Sequence, residues 1–362
     1  MENNTRPEKK KWSAGKKVGV IAGCILLGAA LIVGAVYLYF DHALTEGDAG
    51  SLTDDIQGTN SENAKDVEYI LVCGIDDDED DDSRAGIGRT DMIMLACYDR
   101  KAGHLSILQI PRDTYVGEEV RTGGTGKING LYSHGPDTTN RISNLAKVIN
   151  DQFKLPVDHY VTIDMKHFRE IIDVLGGIEM YVPWEVPNYD ENGNLVSTIP
   201  AGNIRIDGAT AEIVVRSREG YSQGDIKRLQ MQQYFYAAVF RTIKTFPLSD
   251  IAKVAPGFIT YVNTDYSVAE VISLAAALQK IDSSKIGFSR CPGGGLGAVN
   301  GHKGMYGINA EELAPLLNDH FRPYSEPVSA EELGLPKDLT YPTGEIPAEY
   351  QLMGELDIGE GQ

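Results

Sequence analysis

Short apolar runs alternate with amphipathic segments through the middle of the chain. The runs at 67–75, 90–98 and 104–110 are rich in β-branched and other large apolar residues, as is typical of strands buried in a sheet. Other segments space their apolar residues three and four positions apart, which is typical of helices that bury one face. Two further strands are predicted at 159–163 and 179–182, and helices at 140–153, 165–175, 208–217, 225–246 and 267–279. This alternation predicts an α/β (α+β) domain, in which helices flank both faces of a central mixed β-sheet.

A single uncharged apolar segment precedes this domain. Residues 18–40 contain no charged side chain and end in the aromatic sequence Tyr-Leu-Tyr-Phe. About 20 apolar residues suffice for a helix to cross a bilayer, and aromatic residues favour the bilayer interfaces. A cleavable signal peptide is the competing interpretation, but its apolar region runs only about 7–15 residues. The length of the segment therefore favours a single, uncleaved transmembrane helix.

The charges around this segment predict its orientation. The first 17 residues carry six basic and two acidic side chains, a net +4, and the positive-inside rule keeps such a flank in the cytoplasm. Since the whole chain carries −19, the residues after the flank carry −23. We therefore expect a single-pass protein of the cell membrane whose main domain is extracellular. Its acidic surface excludes nucleic acid as a partner, because such binding depends on neutralising phosphates.

Composition divides the chain into five parts. Residues 1–17 are the cytoplasmic basic segment and 18–40 the membrane helix. Residues 41–66 are polar, acidic and without period, which predicts an extracellular linker. Residues 67–322 hold every predicted strand and helix and form one domain. Residues 323–362 combine prolines and many acids with few large apolar side chains, which predicts a disordered, acidic tail.

The cysteines do not indicate a disulfide framework. Cys24 lies in the apolar segment, Cys73 and Cys97 lie in predicted strands, and Cys291 precedes a Pro-Gly loop. Their spacing matches no metal motif. A bridge between Cys73 and Cys97 is one alternative, and two buried free thiols are the favoured one.

Two aspartates lie where the first two predicted strands meet. Asp76 follows the end of the first strand and Asp91 opens the second, so pairing of these strands brings the carboxylates together. Mg²⁺ prefers oxygen ligands, often one or two carboxylates together with the phosphates of a substrate. The acidic run at 77–82 offers the alternative of a solvated surface loop. The sequence thus contains a candidate site for Mg²⁺ or Mn²⁺.

Basic side chains stand in two loops of the domain. Arg112 follows the third strand in IPRDTYV, and Asp113 is placed to orient it. Strand ends carry both functional side chains and structural ion pairs, so this motif alone leaves both roles open. Lys127 stands in the glycine-rich GKINGLYSHG, where backbone N–H groups can approach an anion.

A knot of charged residues occupies positions 216–232, RSREGYSQGDIKRLQMQ. Arginine matches phosphate oxygens with a rigid fork of donors, so the knot is a candidate site for a phosphate or pyrophosphate. A solvated helix face with charge pairs three and four residues apart is the alternative. The members of the knot are Arg216, Arg218, Asp225, Arg228 and Gln232, of which the last three share one helical face.

In this order, the motifs resemble those of the LytR-CpsA-Psr family, which attaches cell-wall polymers. The matching pieces are LVCGID, RTDMIML, LSILQIPRDTYV, GKINGLYSHG, DHYVTIDMKHFREIIDVLGG, IDGATAEIVVRSR and DIKRLQMQQ. The resemblance implies an extracellular, Mg²⁺-dependent phosphotransferase. It would move an anionic glycopolymer, such as a teichoic acid or a capsule polymer, from a polyprenyl-pyrophosphate carrier to peptidoglycan and form a phosphodiester. It also implies an apolar pocket for the prenyl chain.

The resemblance further assigns roles to ten residues. Asp76 and Asp91 would hold the metal ion. The catalytic residues would be Arg112, Arg218, Asp225 and Arg228, and the pyrophosphate would be bound by Arg89, Lys127, Arg216 and Gln232. In phosphoryl transfer the protein mainly positions the reactants and stabilises charge, and these ten acidic, basic and amide side chains suit that role.

Two other functions stay open at the level of sequence. A hydrolase would cleave the same pyrophosphate with water as the acceptor. A non-enzymatic, membrane-anchored regulator would bind the lipid phosphate without turnover, although 17 cytoplasmic residues are too few for a DNA-binding domain. The chain also departs from the family pattern in Met231, which stands where arginine is frequent, and in the acidic insertion at 77–82.

Overall fold

A computed structural model describes residues 66–76, 88–190, 192–217, 224–337, 339, 341 and 343–356, with only the backbone of 224–226, 343 and 344. The predicted basic segment, membrane helix and nearly all of the linker 41–66 lie outside these ranges, as does the acidic run 77–82. From residue 66 onward, the described helices include none that is long and apolar enough to cross a bilayer. The membrane anchor therefore stays a prediction.

Strands and helices alternate through the described ranges. The strands are β1 (Val67–Asp76), β2 (Arg89–Asp99), β3 (His104–Gln109), β4 (His159–Asp164), β5 (Ile178–Val182), β6 (Val186–Tyr189), β7 (Leu195–Ile199), β8 (Gly202–Ile206), β9 (Asn263–Thr264), β10 (Ile286–Arg290), β11 (Gly293–Gly295), β12 (Tyr306–Ile308), β13 (Thr343–Ile346) and β14 (Tyr350–Leu352). The α-helices are α1 (Leu131–His134), α2 (Arg141–Val148), α3 (Met165–Val174), α4 (Gly208–Arg216), α5 (Gly224–Thr245), α6 (Leu248–Phe258), α7 (Val268–Lys280) and α8 (Ala310–His320).

Seven strands form the central sheet, in the order β14-β10-β3-β2-β1-β4-β9. β1 pairs antiparallel with β2 and parallel with β4, and β3 pairs antiparallel with β2 and parallel with β10. The sheet is therefore mixed, as the sequence predicts.

Each face of the sheet carries its own apolar core. Tyr69, Leu71 and Cys73 of β1 point to one face, where they join buried residues of α2 and α8. On the other face, Ile107 and Phe288 join buried residues of α4 and α5. Strand side chains alternate between faces, and burying each large apolar side chain contributes about 1.5–3 kcal/mol. Helices on both faces, predicted from the alternating pattern, are confirmed.

The helix boundaries follow from capping side chains. The Asp164 carboxylate accepts a hydrogen bond of 2.8 Å from the His167 N–H at the start of α3. Ser267 and Glu270 form a reciprocal capping box at the start of α7. Such side chains satisfy N–H groups that have no partner within the helix.

The prediction of a disordered tail at 323–362 is wrong for its described part. Val328, Leu333 and Leu335 are buried in the core under β1 and α2. Further along, β14 extends the central sheet beside β10, and β13 pairs with β11. The few apolar residues of this acidic segment pack into the core formed by β1 and α2. The domain predicted at 67–322 therefore extends to Leu356.

The three cysteines in the described part of the chain are free and buried. Burial raises the pKa of the Cys97 thiol to about 12, and it raises the pKa of Cys73 as well. The favoured prediction of buried free thiols is confirmed, and both are inert thiols because thiolates are the reactive form.

A polar cluster with an ionisable histidine lies at the amino-terminal ends of β1 and β4. The His159 ring stacks on Tyr266 with 4.3 Å between centroids, and its Nδ1 lies 3.0 Å from Asp265 Oδ2. Its Nε2 lies 3.7 Å from the buried Glu68 carboxylate. Burial opposes the charged ring, but the Asp265 hydrogen bond and the charges of Asp265 and Glu68 outweigh it, so the pKa of His159 is raised.

We expect His159→Gln to lower the free energy of unfolding more at low pH than at high pH. A raised folded-state pKa stabilises the protein fully below the unfolded value of about 6.5 and loses that effect as pH rises through the folded value. Urea unfolding at pH 5.5 and 8.5 measures the difference. The control is His320→Gln, since burial lowers the pKa of His320 and predicts the opposite pH trend. Equal destabilisation by His159→Gln at both pH values would contradict the assignment.

Candidate active site

A β-bulge sets the positions of the two aspartates. Asp76 pairs with Arg89, and Gly74 pairs with Met92. From one pair to the other the chain advances two residues on β1 and three on β2. The extra residue on β2 is Asp91, which has no partner in the register. A bulge re-aims a side chain, and this one lets Asp76 and Asp91 line the same two cavities despite their different strands.

A chain of ion pairs continues from Asp91 into the loop after β3. Arg112 donates a hydrogen bond to the Asp91 carboxylate, and its Nε lies 3.8 Å from Asp113. Asp113 also accepts a hydrogen bond of 2.9 Å from Lys127 Nζ. Lys127 immediately precedes a 3₁₀ turn at Ile128–Gly130. The two basic loops predicted separately from the sequence thus meet at one carboxylate.

The end of α4 brings an arginine close to Asp76. Arg216 occupies the last turn of α4, where its guanidinium lies 3.0 Å from Glu212 and 3.8 Å from Asp76. Half of the Arg216 side chain stays exposed, so it is open to a ligand.

Helix α5 contributes a buried arginine and a buried amide. Only 3% of Arg228 is exposed, and Gln232 follows one turn later on the same face. The Gln232 amide donates to the Val215 carbonyl oxygen at 2.9 Å and accepts from Gln109 at 2.7 Å. Both ends of this amide are therefore engaged by the protein. Gln232 positions α5 against α4 and β3 while it lines the cavity.

Two cavities meet at this cluster. The first has a volume of about 290 Å³ and a largely apolar wall. The second has a volume of about 420 Å³ and a polar wall, and we call it the cationic cleft. Asp76, Asp91 and Arg112 belong to both. The apolar wall is formed by Ile75, Met92, Ile163, Met165, Phe168, Val215, Phe235 and Tyr236. Beyond the shared residues, the cationic cleft is lined by Arg89, Asp113, Thr125, Lys127, Asn129, His302 and Lys303.

The donor set at the junction suits a hard divalent cation. Asp76 and Asp91 are the carboxylates common to both cavities, and their side chains are 32% and 25% exposed. In the part of the chain that the structure describes, no group of three or more His, Cys, Asp or Glu residues is arranged to hold a metal. Two carboxylates completed by ligand oxygens are the arrangement that Mg²⁺ commonly uses.

The structure brings eight of the ten predicted site residues together. They are Asp76, Arg89, Asp91, Arg112, Lys127, Arg216, Arg228 and Gln232, and each lines one or both cavities. Arg218 and the side chain of Asp225 lie outside the described residues. The prediction that Asp225, Arg228 and Gln232 share one helical face is consistent with their positions on α5.

The pattern of the LytR_cpsA_psr family matches residues 37–321, which is most of the chain. This chain belongs to the LytR-CpsA-Psr family. The probable cell wall biosynthesis protein LcpB of Corynebacterium glutamicum is 33% identical over 237 residues, which are 62% of this chain and 52% of that protein. TagV of Bacillus subtilis, a polyisoprenyl-teichoic acid–peptidoglycan teichoic acid transferase, is 28% identical over 254 residues, 67% of this chain and 60% of TagV. The chain thus spans between half and two thirds of the length of these relatives.

The fold is also that of a solved member of the family. The crystal structure of B. subtilis TagV superposes with a TM-score of 0.59 at 24% identity, covering 71% of this chain and 97% of that one. At this identity the likeness shows the fold.

The resemblance to the LytR-CpsA-Psr family implies an apolar pocket, but the residues of its wall were not identified from the sequence. Phe235 and Tyr236 follow Arg228 by seven and eight residues, so helical spacing alone places them on the face of Arg228 and Gln232. The Tyr236 hydroxyl is buried, which raises its pKa against the opposing charge of Arg228 and keeps the phenol neutral. Phe168 lies on α3, and no spacing relative to the predicted site residues marks it as part of the wall.

His302 and Lys303 were missed as well, because they come from a loop far along the chain. Val299 and His302 exchange backbone hydrogen bonds of 2.9 and 3.0 Å, so the loop is a tight turn. A Cβ atom built on Gly304 would lie 3.8 Å from Lys127 Nζ, which shows how closely the turn approaches the cleft. The turn adds positive charge at the rim of the cationic cleft.

We expect Lys303→Ala to weaken the binding of inorganic pyrophosphate by up to about five-fold, because an exposed charge contact contributes roughly 0.2–1 kcal/mol. Isothermal titration calorimetry at low and high salt measures the change, which should shrink as salt screens the charge. The control is Lys253→Ala on α6, whose side chain is 73% exposed and paired with Asp250 outside the cleft. Unchanged affinity in Lys303→Ala, or equal weakening in both variants, would remove Lys303 from the site.

Proposed function

We propose that this protein transfers an anionic glycopolymer from a polyprenyl-pyrophosphate carrier to a hydroxyl group of peptidoglycan, forming a phosphodiester in cell-wall assembly. The observation that carries the proposal is the junction of two unlike cavities. An apolar cavity and a cationic cleft share Asp76, Asp91 and Arg112. A lipid-linked pyrophosphate has the same division, with an apolar chain on one side of a dianionic bridge and a polymer on the other.

The apolar cavity suits the prenyl chain. Phe168 and Phe235 lie with 5.6 Å between ring centroids, and both line the wall. Methionine side chains at 92 and 165 add adaptable apolar surface. Moving such a chain from water into the cavity is favourable by about 25 cal/mol for each Å² of apolar surface buried. The energy of lipid binding can then hold the pyrophosphate at the charged junction.

The charged residues suit the pyrophosphate. Of the described residues that line the cationic cleft, Arg89, Arg112, Lys127 and Lys303 have basic side chains. Arg228 and Arg216 approach from the side of the apolar cavity. Preorganised guanidinium groups stabilise the charge that develops on phosphoryl oxygens in the transition state. We propose that Arg218 and Asp225 complete this set, the latter as an orienting or assisting carboxylate.

In the proposed reaction, the oxygen of a glycan hydroxyl attacks the phosphorus on the polymer side of the pyrophosphate. The bond between that phosphorus and the bridging oxygen breaks, and polyprenyl phosphate leaves. The hydroxyl proton passes to a base, and the polymer stays linked to the glycan through one phosphate. Arg112 and Lys127 would hold the non-bridging oxygens during this in-line displacement.

We propose Mg²⁺ as the cofactor, with Mn²⁺ as a substitute, held by Asp76 and Asp91. When bound, the ion would neutralise charge on the pyrophosphate oxygens and polarise the reacting phosphoryl group. The two carboxylates are ion-paired with Arg216 and Arg112, so these guanidiniums lie beside the position where Asp76 and Asp91 would hold the ion. The names of relatives such as the teichoic acid transferase TagV support the transfer of a wall polymer.

We further propose that residues 18–40 anchor the protein in the cell membrane with residues 1–17 in the cytoplasm. The domain would then lie on the outer side of the membrane. There it could reach both the carrier lipid in the bilayer and the peptidoglycan. The residues after the basic flank carry a formal charge of −23. This charge opposes any partnership with nucleic acid.

An assay with and without acceptor tests the proposal. The purified full chain in detergent, given lipid-linked polymer and Mg²⁺, should release polyprenyl phosphate only when soluble peptidoglycan glycan strands are present. Equal release without glycan would identify a hydrolase. Binding of the lipid without any release would identify a non-enzymatic regulator. Either outcome would overturn the transferase.

A further inference from the structure

A third opening adjoins the junction of the two cavities. It is a groove of about 360 Å³ between the β6–β7 hairpin and the end of α4. The residues that line it are Pro187, Asn188, Tyr189, Asp190, Glu212, Ile213, Arg216 and Ser217. We propose that this acceptor groove binds the glycan that receives the polymer. The inference rests on the proposed transferase function and locates its second substrate.

The position of the groove supports an acceptor. Arg216 lines both the groove and the apolar cavity, and its guanidinium links Glu212 at 3.0 Å to Asp76 at 3.8 Å. A ligand in the groove therefore lies beside the aspartate at the junction. The donor would occupy the apolar cavity with its lipid and the cationic cleft with its polymer. The attacking hydroxyl needs an approach that the donor does not fill, and the groove is an opening separate from the two assigned to the donor.

The charges of the groove separate it from the cationic cleft. Of the described residues that line the groove, the charged ones are Asp190, Glu212 and Arg216. Glu212 is compensated by Arg216 and by Arg169, which lies 3.1 Å away. The groove is thus neutral to acidic, and like charges disfavour an anionic polymer there. The two openings would sort donor from acceptor by charge.

The remaining lining has the chemistry of a sugar site. The Tyr189 ring offers a flat apolar surface, while Asn188 offers an amide group and Ser217 a hydroxyl oxygen that can accept a hydrogen bond. Small-molecule sites combine an apolar or aromatic wall with a few placed polar groups. A sugar ring presents apolar faces and hydroxyl edges, which match both parts.

Local hydrogen bonds hold the groove in shape without a ligand. The Asp190 carboxylate accepts from the N–H groups of Asn192 and Asn194 at 2.9 and 2.8 Å, which fixes the hairpin turn. The Ser217 hydroxyl donates to the Pro187 carbonyl oxygen at 3.3 Å, which ties the hairpin to the end of α4. A preformed groove binds its ligand at a lower cost in conformational entropy.

Two variants of the groove test the inference. We expect Tyr189→Leu, which keeps an apolar side chain, and Asn188→Ala to raise the KM for soluble peptidoglycan glycan strands at least about ten-fold, the effect of roughly 1.4 kcal/mol. The KM for the lipid-linked donor should change less than about two-fold, a difference of roughly 0.4 kcal/mol. Thr198→Ala is the matched control, because it lies on the other strand of the hairpin and is absent from the lining of the groove.

Binding without donor separates failure of the inference from failure of the proposed function. Glycan strands should bind the wild-type full chain in the absence of donor, and Tyr189→Leu should weaken that binding at least about five-fold, or roughly 1 kcal/mol. Loss of glycan binding in Tyr189→Leu supports the groove even if no transfer is detected. A raised donor KM with unchanged acceptor KM would overturn the inference, since the groove would then hold polymer. Unchanged glycan binding and unchanged KM values in both variants would overturn it as well.

Discussion

Replacing Arg112 by alanine is expected to lower kcat for polymer transfer about 10²–10³-fold, the typical cost of removing one donor that stabilises charge in the transition state. Arg112 belongs to both cavities and pairs with Asp91, so its guanidinium lies where the pyrophosphate would bridge them. Its side chain is only 16% exposed, and low local solvation strengthens its interaction with phosphoryl oxygens. The KM for the donor should rise much less than kcat falls, because the contact tightens in the transition state.

Two further variants decide whether charge or geometry matters at this position. Arg112→Lys keeps the positive charge and loses the planar fork, so we expect a kcat between those of the wild type and the alanine variant. Arg205→Ala is the control, since Arg205 forms an exposed pair with Glu179 away from the cavities and should leave kcat unchanged. Wild-type kcat in Arg112→Ala would exclude this arginine from the chemistry.

Removal of divalent metal is expected to abolish transfer. Asp76→Asn is expected to raise the Mg²⁺ concentration needed for half-maximal rate by at least about ten-fold, because the loss of one carboxylate ligand should weaken Mg²⁺ binding by roughly 1.4 kcal/mol or more. A cation that polarises a phosphoryl oxygen contributes several kcal/mol to transition-state stabilisation. The measurement is the initial rate of polyprenyl phosphate release over a Mg²⁺ titration after chelation, with Mn²⁺ as a second ion.

Thermal unfolding gives a readout of the metal that does not depend on turnover. A ligand that binds the folded state raises the melting temperature by mass action, so Mg²⁺ should stabilise the wild type and stabilise Asp76→Asn less. Asp250→Asn on α6 is the control, because Asp250 pairs with Lys253 outside the cavities. Full activity of the chelated wild-type protein would contradict the metal assignment.

The sequence predicts the architecture well where apolar residues recur with a strong period. The strands β1 to β4 and the helices α3, α4, α5 and α7 carry such patterns, and their predicted bounds differ from the observed ones by at most one residue at either end. The motifs on these elements therefore carry much of the site. Local pattern sufficed because Asp76, Arg89 and Arg216 lie at the ends of regular elements, whereas Arg228 and Gln232 lie on one face of α5.

Features that depend on pairing between distant parts of the chain could not be predicted from the sequence. β14 has three residues and owes its existence to β10, about 60 residues earlier. No local periodicity marks such a strand. The prediction of disorder at 323–362 therefore followed the acidic composition of the segment and not its few apolar residues, which are buried. His302 and Lys303 were missed for the same reason, since only the folded chain brings their turn to Lys127. The bulge at Asp91 likewise exists only in the register of two strands.

One measurement tests the central claim most directly: the mass of the acceptor after the reaction. Labelled peptidoglycan glycan strands incubated with the protein, Mg²⁺ and a defined lipid-linked polymer should gain the mass of the polymer and one phosphate, joined through a phosphodiester. Polyprenyl phosphate should appear in equal amount. Unmodified glycan together with free polymer phosphate, or unmodified glycan and intact donor, would contradict the transferase.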